Sequence, residues 1–230
     1  MKHNLVILSG AGISAESGIK TFRDAGGLWE NYSIEEVATP EAWQKNPDLV
    51  QKFYNERRLN VISAKPNLAH HYFSDLQKHF HVQVITQNID DLHERAGSIN
   101  VLHLHGNIRY AKSSGPDKEK KYYPIDGHEL KMTDNCDDGF PLRPHVVWFG
   151  EEVPLLYTAA ELIQQADVVI VIGTSLQVYP AAGLIHAIPD GALKIVIDPQ
   201  PDRLSIPKDF KLLTCTAQES IPFLKKILGH

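Results

Sequence analysis

Short apolar runs alternate along the chain with segments of helical periodicity. The runs are rich in Val, Ile and Leu, which is typical of buried strands. The predicted strands are residues 4–9, 82–87, 100–105, 145–149, 167–173, 194–198 and 210–214. The predicted helices are residues 48–63, 67–79, 155–166, 180–187 and 218–228. This alternation predicts an α/β fold, in which a parallel sheet carries helices on both faces.

Two stretches interrupt the alternation. Residues 28–65 have helical patterns with no strand between them, and residues 107–144 are polar and irregular. A structureless loop of that length is uncommon inside a compact domain. We therefore predict that both are insertions, which together form a small second domain. The main domain would then be built from residues of about 1–27, 66–106 and 145–230.

The first helix of this prediction carries polar side chains on its apolar face. Asn46 is the expected N-cap. At about 100° per residue, Val50, Tyr54, Arg57 and Val61 share one face of the helix. Either Arg57 pairs with an internal acidic group and Tyr54 is a core aromatic residue, or both side chains face a ligand.

Composition and charge exclude several classes of protein. The 230 residues are 43% hydrophobic and 22% charged, and the net charge is −5. Basic residues are scattered, so we expect neither a nucleic-acid partner nor a membrane partner. No apolar segment is long enough to span a bilayer, and no signal segment is recognised. With only Cys136 and Cys215, a cytoplasmic protein without a disulfide framework is expected.

A glycine-rich segment follows the first predicted strand. Gly10, Gly12 and Ala15 satisfy the G-x-G-x-x-G/A spacing that lets a helix N-terminus approach a pyrophosphate. Glycines at such turns can also serve packing alone. The acidic residue expected about 20 positions later in dehydrogenases is missing, which disfavours a hydride-transfer enzyme.

Two further polar motifs follow predicted strands. Gln87, Asn88 and Asp90, together with Asp91, lie at the carboxyl end of the second strand, where open α/β sheets bind ligands, although a capped strand-to-helix turn has the same composition. In "LHLHG", alternation places His103 and His105 on one face. The pair could bind a metal, supply a general base or be structural. His105, at the edge of the sheet, is the better candidate base.

These motifs occur together, and in the same order, in one known family. The segments are "GAGIS" (10–14), "SGIKTFR" (17–23), "TQNID" (86–90), "HG" (105–106), "VVWFGE" (146–151) and "GTSLQVYPAAGL" (173–184). Over nearly the whole chain they resemble the sirtuins, NAD-dependent protein deacylases. The resemblance implies a Rossmann-like sheet with a small domain built from two insertions.

The resemblance also implies an NAD site and a reaction. The implied NAD-binding residues are Gly10, Ala11, Gly12, Ser14, Phe22, Arg23, Gln87, Asn88, Ile89, Asp90, Gly173, Thr174, Ser175, Asp198 and Ala217. The implied catalytic residues are His105, Asn88 and Asp90. The acyl oxygen of an acylated lysine would attack C1′ of the nicotinamide ribose. The products would be nicotinamide, free lysine and O-acyl-ADP-ribose.

The substrate side of the resemblance concerns an extended acylated peptide. Val147, Phe149 and Val178 are implied to line the acyl-lysine tunnel, whereas Val146 is expected to be ordinary core. Tyr54 and Arg57 match a Tyr-x-x-Arg pair that reads a distal carboxylate in the branch that removes succinyl, malonyl and glutaryl groups. Ala38 is implied to widen that pocket. Arg58 is expected to be solvent-facing or a structural charge.

The chain departs from the family at its zinc site. Sirtuins usually carry four cysteines in the second insertion, and this insertion has only Cys136. One thiolate cannot build such a site. A substitute set of His128, Asp134, Asp137 and Asp138 matches no zinc pattern, so we expect no zinc.

Two alternatives to deacylation stay open at this stage. An NAD glycohydrolase or ADP-ribosyltransferase would use the same cofactor without an acyl-lysine. A non-catalytic module would bind NAD or acyl-lysine without turnover.

Overall fold

The computed structural model describes residues 2–20, 32–204 and 206–229, without the side chain of Arg203. The strands are β1 (Asn4–Ser9), β2 (His81–Thr86), β3 (Val101–His103), β4 (Gly106–Ser113), β5 (Tyr122–Pro124), β6 (Leu142–Val146), β7 (Val168–Ile172), β8 (Leu193–Ile197) and β9 (Lys211–Leu213). The α-helices are α1 (Gly12–Ala15), α2 (Ile34–Val37), α3 (Pro40–Lys45), α4 (Pro47–Ser63), α5 (Leu68–Asp75), α6 (Leu92–Arg95), α7 (Leu156–Gln164) and α8 (Ile221–Leu228). Short 3-10 helices span Leu76–Lys78, Ala181–Ala187 and Pro201–Arg203.

The larger sheet is parallel throughout, with the strand order β3-β2-β1-β7-β8-β9. Every residue of β7 is buried, which requires cover on both faces. Leu5 and Ile7 of β1 pack with Phe73 of α5 on one face, and Leu8 packs with Ile163 of α7 on the other. The predicted α/β sheet with helices on both faces is confirmed.

The smaller sheet is antiparallel, with the order β5-β4-β6. Residues 107–144, whose sequence shows no regular pattern, contain most of it. The apolar run at 145–149, predicted as a strand of the parallel sheet, is not a parallel strand. After Val146 the N–H of Val147 still donates to the His105 carbonyl oxygen, but the N–H of Trp148 donates to Glu151 Oε2, both at 2.9 Å, so the pairing does not continue.

The described part of the first insertion, residues 32–65, is mainly helical, as predicted. The Asn46 side chain caps α4 by accepting from a backbone N–H at 3.1 Å. Tyr54 and Arg57 are buried on one face of this helix. Arg58 is fully buried and not solvent-facing, and its guanidinium donates to the Ile108 carbonyl oxygen at 2.7 Å. Of the two roles expected for Arg58, the structural one is correct.

The helices of the first insertion and the small sheet share an apolar cluster. It includes Val37, Phe53, Ile108, Val146 and Trp148, so Val146 is core as expected. The two insertions therefore pack on each other, while the domain bounds drawn from the sequence stay a prediction. Within the described ranges, no helix combines the length and the apolar character needed to cross a membrane.

Candidate active site

The glycine-rich turn after β1 packs against the end of β7. The N–H of Gly10 donates to the Ile172 carbonyl oxygen at 3.0 Å, and that of Gly12 donates to the Gly173 carbonyl oxygen at 2.8 Å. A Cβ added at Gly12 would lie 2.7 Å from the Gly173 Cα, closer than real Cβ atoms come. The glycines thus have a packing role. Their contact with a cofactor stays a prediction.

This packing brings α1 to the polar groups that follow β2. Ser14 Oγ donates to Asp90 Oδ2 at 2.9 Å and accepts from Asn88 Nδ2 at 3.2 Å. Gln87 Nε2 donates to Thr174 Oγ1 at 2.9 Å. These predicted site residues are therefore brought together at the carboxyl ends of β1, β2 and β7, where open α/β sheets bind ligands.

The two carboxylates that follow β2 have different environments. Asp90 is buried, and burial raises its pKa although the Leu92 N–H and Ser14 donate to it. Asp91 instead lies 3.4 Å from Arg95 and 3.7 Å from Arg109 in ion pairs. Only Asp90 belongs to the polar cluster, and Asp91 is held beside it by basic side chains.

The two histidines of "LHLHG" both bond to the chain after β2. His103 Nδ1 lies 3.0 Å from the Asn88 carbonyl oxygen, and its Nε2 lies 2.7 Å from Glu94 Oε1. Asn107 Nδ2 also lies 3.3 Å from Nε2, but the carbonyl and the carboxylate are both acceptors, which favours a proton on each nitrogen. Burial opposes this, but the hydrogen bond and charge of Glu94 raise the pKa of His103 above its ordinary value. A raised pKa and an acceptor at each nitrogen make His103 the poorer base of the two histidines.

His105 keeps one ring nitrogen available. Its Nδ1 lies 2.9 Å from the Gln87 carbonyl oxygen, and it must carry the proton because a carbonyl only accepts. Burial lowers the pKa of His105, against the opposing effect of that carbonyl. At neutral pH the ring is therefore neutral, and its Nε2 lone pair can accept a proton. The geometry favours His105 over His103 as a general base.

The ends of β7 and β8 carry the residues implied for the adenosine side. Asp198 is buried, and its Oδ1 accepts from the Gln200 N–H at 2.7 Å. Among the described residues, its Oδ2 has no hydrogen-bond partner. Thr174 is held by Gln87, Ser175 is half-buried, and Ala217 is buried in the core under the sheet.

Tyr54 and Arg57 lie one turn apart on α4, and both are buried, with 0% and 9% of their surface exposed. Ala38 lies in the same apolar cluster as Tyr54. Burial raises the pKa of Tyr54 above its ordinary value, with Arg57 acting in the opposite direction, so the phenol keeps its proton. The residues of the predicted pocket floor are therefore close to one another.

Sequence reasoning missed three residues beside this pocket. Arg143 forms a two-point ion pair with Glu151, at 3.0 and 2.7 Å, and its guanidinium lies 3.4 Å from the centre of the Trp148 ring. Trp148 Nε1 donates to the Tyr54 hydroxyl oxygen at 3.1 Å. The only signal in the sequence is the pair of charges that flank the aromatic run in "LRPHVVWFGE".

The residues implied for the peptide side lie on the chain after β6 and β7. Val147 is half-buried, while Phe149 and Val178 are exposed. The N–H of Phe149 donates to the Ala38 carbonyl oxygen at 3.0 Å, which joins this segment to the pocket floor. Phe22 and Arg23, implied for the cofactor loop, lie outside the described residues.

The second insertion holds its charged side chains in local bonds. Cys136 Sγ lies 3.3 Å from Ser113 Oγ, and Asp137 forms an ion pair with Lys121 at 2.7 Å. In the part of the chain that the structure describes, no group of three or more His, Cys, Asp or Glu side chains is arranged to hold a metal ion. The absence of zinc stays a prediction.

Comparison with known proteins places this geometry in a family. Residues 10–180 match the model of the Sir2 family. An NAD-dependent protein deacylase of Bacteroides thetaiotaomicron is 50% identical over 229 residues, covering 98% of this chain and 97% of the relative. The crystal structure of a Sir2 homologue in complex with NAD has 40% identity and a TM-score of 0.83, covering 98% and 89% of the two chains. A mutant Sir2 homologue in complex with 2′-O-acetyl ADP ribose has 39% identity and a TM-score of 0.83, covering 98% and 92%. The chain therefore belongs to the Sir2 family and is an NAD-dependent protein deacylase.

Proposed function

We propose that this protein removes succinyl and malonyl groups, as well as acetyl groups, from lysine side chains, and that it releases nicotinamide and O-acyl-ADP-ribose. One observation carries the preference for acidic acyl groups. The guanidinium of Arg57 and the protonated phenol of Tyr54 are buried one turn apart on α4, and Tyr54 shares an apolar cluster with Ala38. A carboxylate entering there would accept bonds from both, in a site where charge-assisted hydrogen bonds are strong.

The polar cluster at the sheet edge supports the proposed NAD site. Ser14, Gln87, Asn88 and Asp90 are already bonded to protein partners, so they are held in place before a ligand arrives. The second oxygen of Asp198 can accept from a ribose hydroxyl, and its charge disfavours a cofactor with a 2′-phosphate. The other implied residues, including Ile89, Phe22 and Arg23, are part of this proposal on the resemblance alone.

NAD, when bound, would supply an electrophilic ribose carbon and nicotinamide as the leaving group. In this proposal His105 Nε2 accepts a proton from a ribose hydroxyl, because its Nδ1–H is fixed by the Gln87 carbonyl. Asn88 and Asp90 position the ribose and the carboxamide. Turnover is therefore assigned to the sheet edge, and the choice of acyl group to α4.

The proposed partner is an acylated lysine in an extended peptide. Phe149 and Val178 leave much of their surface exposed beside the site, 44% and 38% respectively. Exposed apolar side chains on a chain segment next to a sheet suit the addition of a peptide as an extra strand. We place the enzyme in the cytoplasm and without zinc, both on the sequence argument alone.

The test is a panel of succinyl-, malonyl- and acetyl-lysine peptides assayed with NAD, in which nicotinamide release and deacylated peptide are followed together. Arg57→Met should lower kcat/KM for succinyl-lysine roughly 100-fold, since hydrogen bonds to a charged group are lost. Lys52→Met removes an exposed cation from the same helix and is the matched control.

Two results would contradict the proposal. If Arg57→Met leaves desuccinylation intact, the pocket assignment is wrong. Nicotinamide release that needs no acylated peptide would indicate an NAD glycohydrolase or ADP-ribosyltransferase instead.

A further inference from the structure

We propose that Trp148, held by Arg143 and Glu151, is a positioning residue that turns the Tyr54 hydroxyl proton toward the acyl carboxylate and so sets the preference for acidic acyl groups. This inference rests on the proposed function, because it concerns the same pocket.

The hydrogen bond between Trp148 and Tyr54 has a fixed direction. An indole N–H can only donate, so Tyr54 Oη accepts this bond at 3.1 Å. The phenol proton must then point elsewhere. In the described ranges it meets no acceptor, and Tyr54 is fully buried. Since burial raises the pKa of Tyr54, that proton stays on the phenol at neutral pH. It is a donor left available to the carboxylate of the proposed substrate.

Trp148 is itself fixed on several sides. The Arg143 guanidinium stacks on its ring at 3.4 Å, and its backbone N–H donates to Glu151 Oε2 at 2.9 Å. Arg143 and Glu151 are bonded at two points, and Lys118 adds a further bond to Glu151 at 2.7 Å. Although burial opposes it, Arg143 lowers the pKa of Glu151 to about 2. The cluster of Arg143, Trp148 and Glu151, called the clamp below, therefore keeps its ion pair at every pH at which the enzyme would be assayed.

The clamp also joins the pocket floor to the base. Three consecutive residues make three separate contacts: Val147 N–H to the His105 carbonyl oxygen, the Trp148 indole to Tyr54, and Phe149 N–H to the Ala38 carbonyl oxygen. Segment 147–149 thus fixes where the acyl end of a substrate lies relative to His105. Loss of the indole bond removes the Tyr54 contact alone, because the other two use the backbone.

The test uses Trp148→Phe, which keeps an aromatic ring under Arg143 and removes the N–H. We expect the ratio of kcat/KM for succinyl-lysine to kcat/KM for acetyl-lysine to fall about fivefold, which is the effect of one lost hydrogen bond. The fall should come from a higher KM for the succinyl peptide. Trp43→Phe is the matched control. Trp43 packs against Trp148 with ring centres 5.8 Å apart, and this variant keeps the bond to Tyr54. It should leave the ratio unchanged.

A double-mutant cycle separates positioning from packing. If Trp148 acts through the Tyr54 hydroxyl, Trp148→Phe in a Tyr54→Phe background should cause no further fall in the ratio. Equal losses on both peptides, or additive losses in the cycle, would overturn the inference. If Trp148→Phe does not fold, Glu151→Gln, which loosens the clamp at nearly constant size, must lower the same ratio.

The two proposals can fail separately. Wild-type enzyme that deacetylates but does not desuccinylate overturns both. Wild-type enzyme that desuccinylates through Arg57, while Trp148→Phe keeps the wild-type ratio, overturns the inference and leaves the proposed function standing.

Discussion

The two sides of the site are held by different kinds of contact. On the sheet side, the polar groups Ser14, Asn88 and Asp90 bond to one another, and His105 bonds to the backbone after β2. These positions follow from the register of parallel strands, since the ends of β1, β2 and β7 meet at one edge. Under our proposal, a substitution there disturbs the reacting groups directly.

The insertion side, formed by α4 and the chain from Arg143 to Glu151, depends on side chains that are distant in sequence. Trp148 and Tyr54 are 94 positions apart. Arg143, Trp148 and Glu151 form one buried charged and aromatic cluster. The contacts of Trp148 with Tyr54 and of Phe149 with Ala38 lie apart from the ladder of the large sheet. Under our proposal, acyl selectivity can therefore change while the groups at the sheet edge stay in place.

On the sheet side, the substitution expected to have the largest effect on activity is His105→Ala. Removing the neutral ring that can accept a proton should lower kcat about 10²- to 10⁴-fold with an acetyl-lysine peptide, the usual contribution of general acid–base catalysis. KM for the peptide should change much less. Steady-state kinetics of nicotinamide release measures both quantities.

The control for this variant is His71→Ala, which removes an exposed histidine from α5. It should have wild-type kinetics. If His105→Ala kept the parental rate, the assignment of the base would be wrong, and a binding module without turnover would have to be considered again.

On the insertion side, Arg143→Met should lower the stability of the protein. This change leaves Glu151 buried without its main partner and removes the cation from the Trp148 face, so we expect a loss of about 3 kcal/mol in the free energy of unfolding. Chemical denaturation followed by tryptophan fluorescence measures it. Asp209→Asn, at the more exposed pair with Lys194, is the matched control and should have a much smaller effect. Similar losses in the two variants would show that the clamp is not a stabilising unit.

Sequence reasoning found the sheet side because its signals are local. β1 and β7 are continuous apolar runs, and the chain segment from Gln87 to Asp90 follows a strand directly. Parallel strands bring such segments to one edge whatever the rest of the chain does. The position of His105 at the end of its strand already favoured it over His103, and the hydrogen bonds of His103 add a physical reason.

The insertion side could be predicted only in part, because its contacting residues do not recur at a regular spacing in the sequence. β4 contains Lys112, which makes the strand look polar, yet the ammonium is buried and paired with Glu119 at 2.6 Å. Arg58 looks like a surface charge, but the carbonyl oxygens of Ile108 and His128 accept its bonds. Such partners lie far away in sequence, and only the folded chain identifies them.

Lowering the pH should destabilise the sheet side and leave the insertion side charged and paired. This is the smallest of the expected effects. Burial lowers the pKa of His70 to about 4, and the neighbouring His71 adds to the shift. The unfolded chain, with an ordinary histidine pKa near 6.5, then binds more protons than the native state below that pH. Stability is thus full above about pH 6.5 and is lost as the pH falls toward 4, by about 2 kcal/mol between pH 7 and pH 5. Glu151, with a pKa of about 2, keeps the clamp charged throughout this window.

His70→Gln tests this difference, because Gln does not titrate and can still accept the Asn67 N–H that His70 Nδ1 accepts at 3.3 Å. Unfolding free energies measured from pH 7 to pH 5 should fall about 2 kcal/mol less in the variant than in the wild type. His71→Gln, at the exposed neighbour, should keep nearly the wild-type slope. Equal slopes for His70→Gln and the wild type would mean that the buried histidine on the sheet side is not what makes that side sensitive to acid.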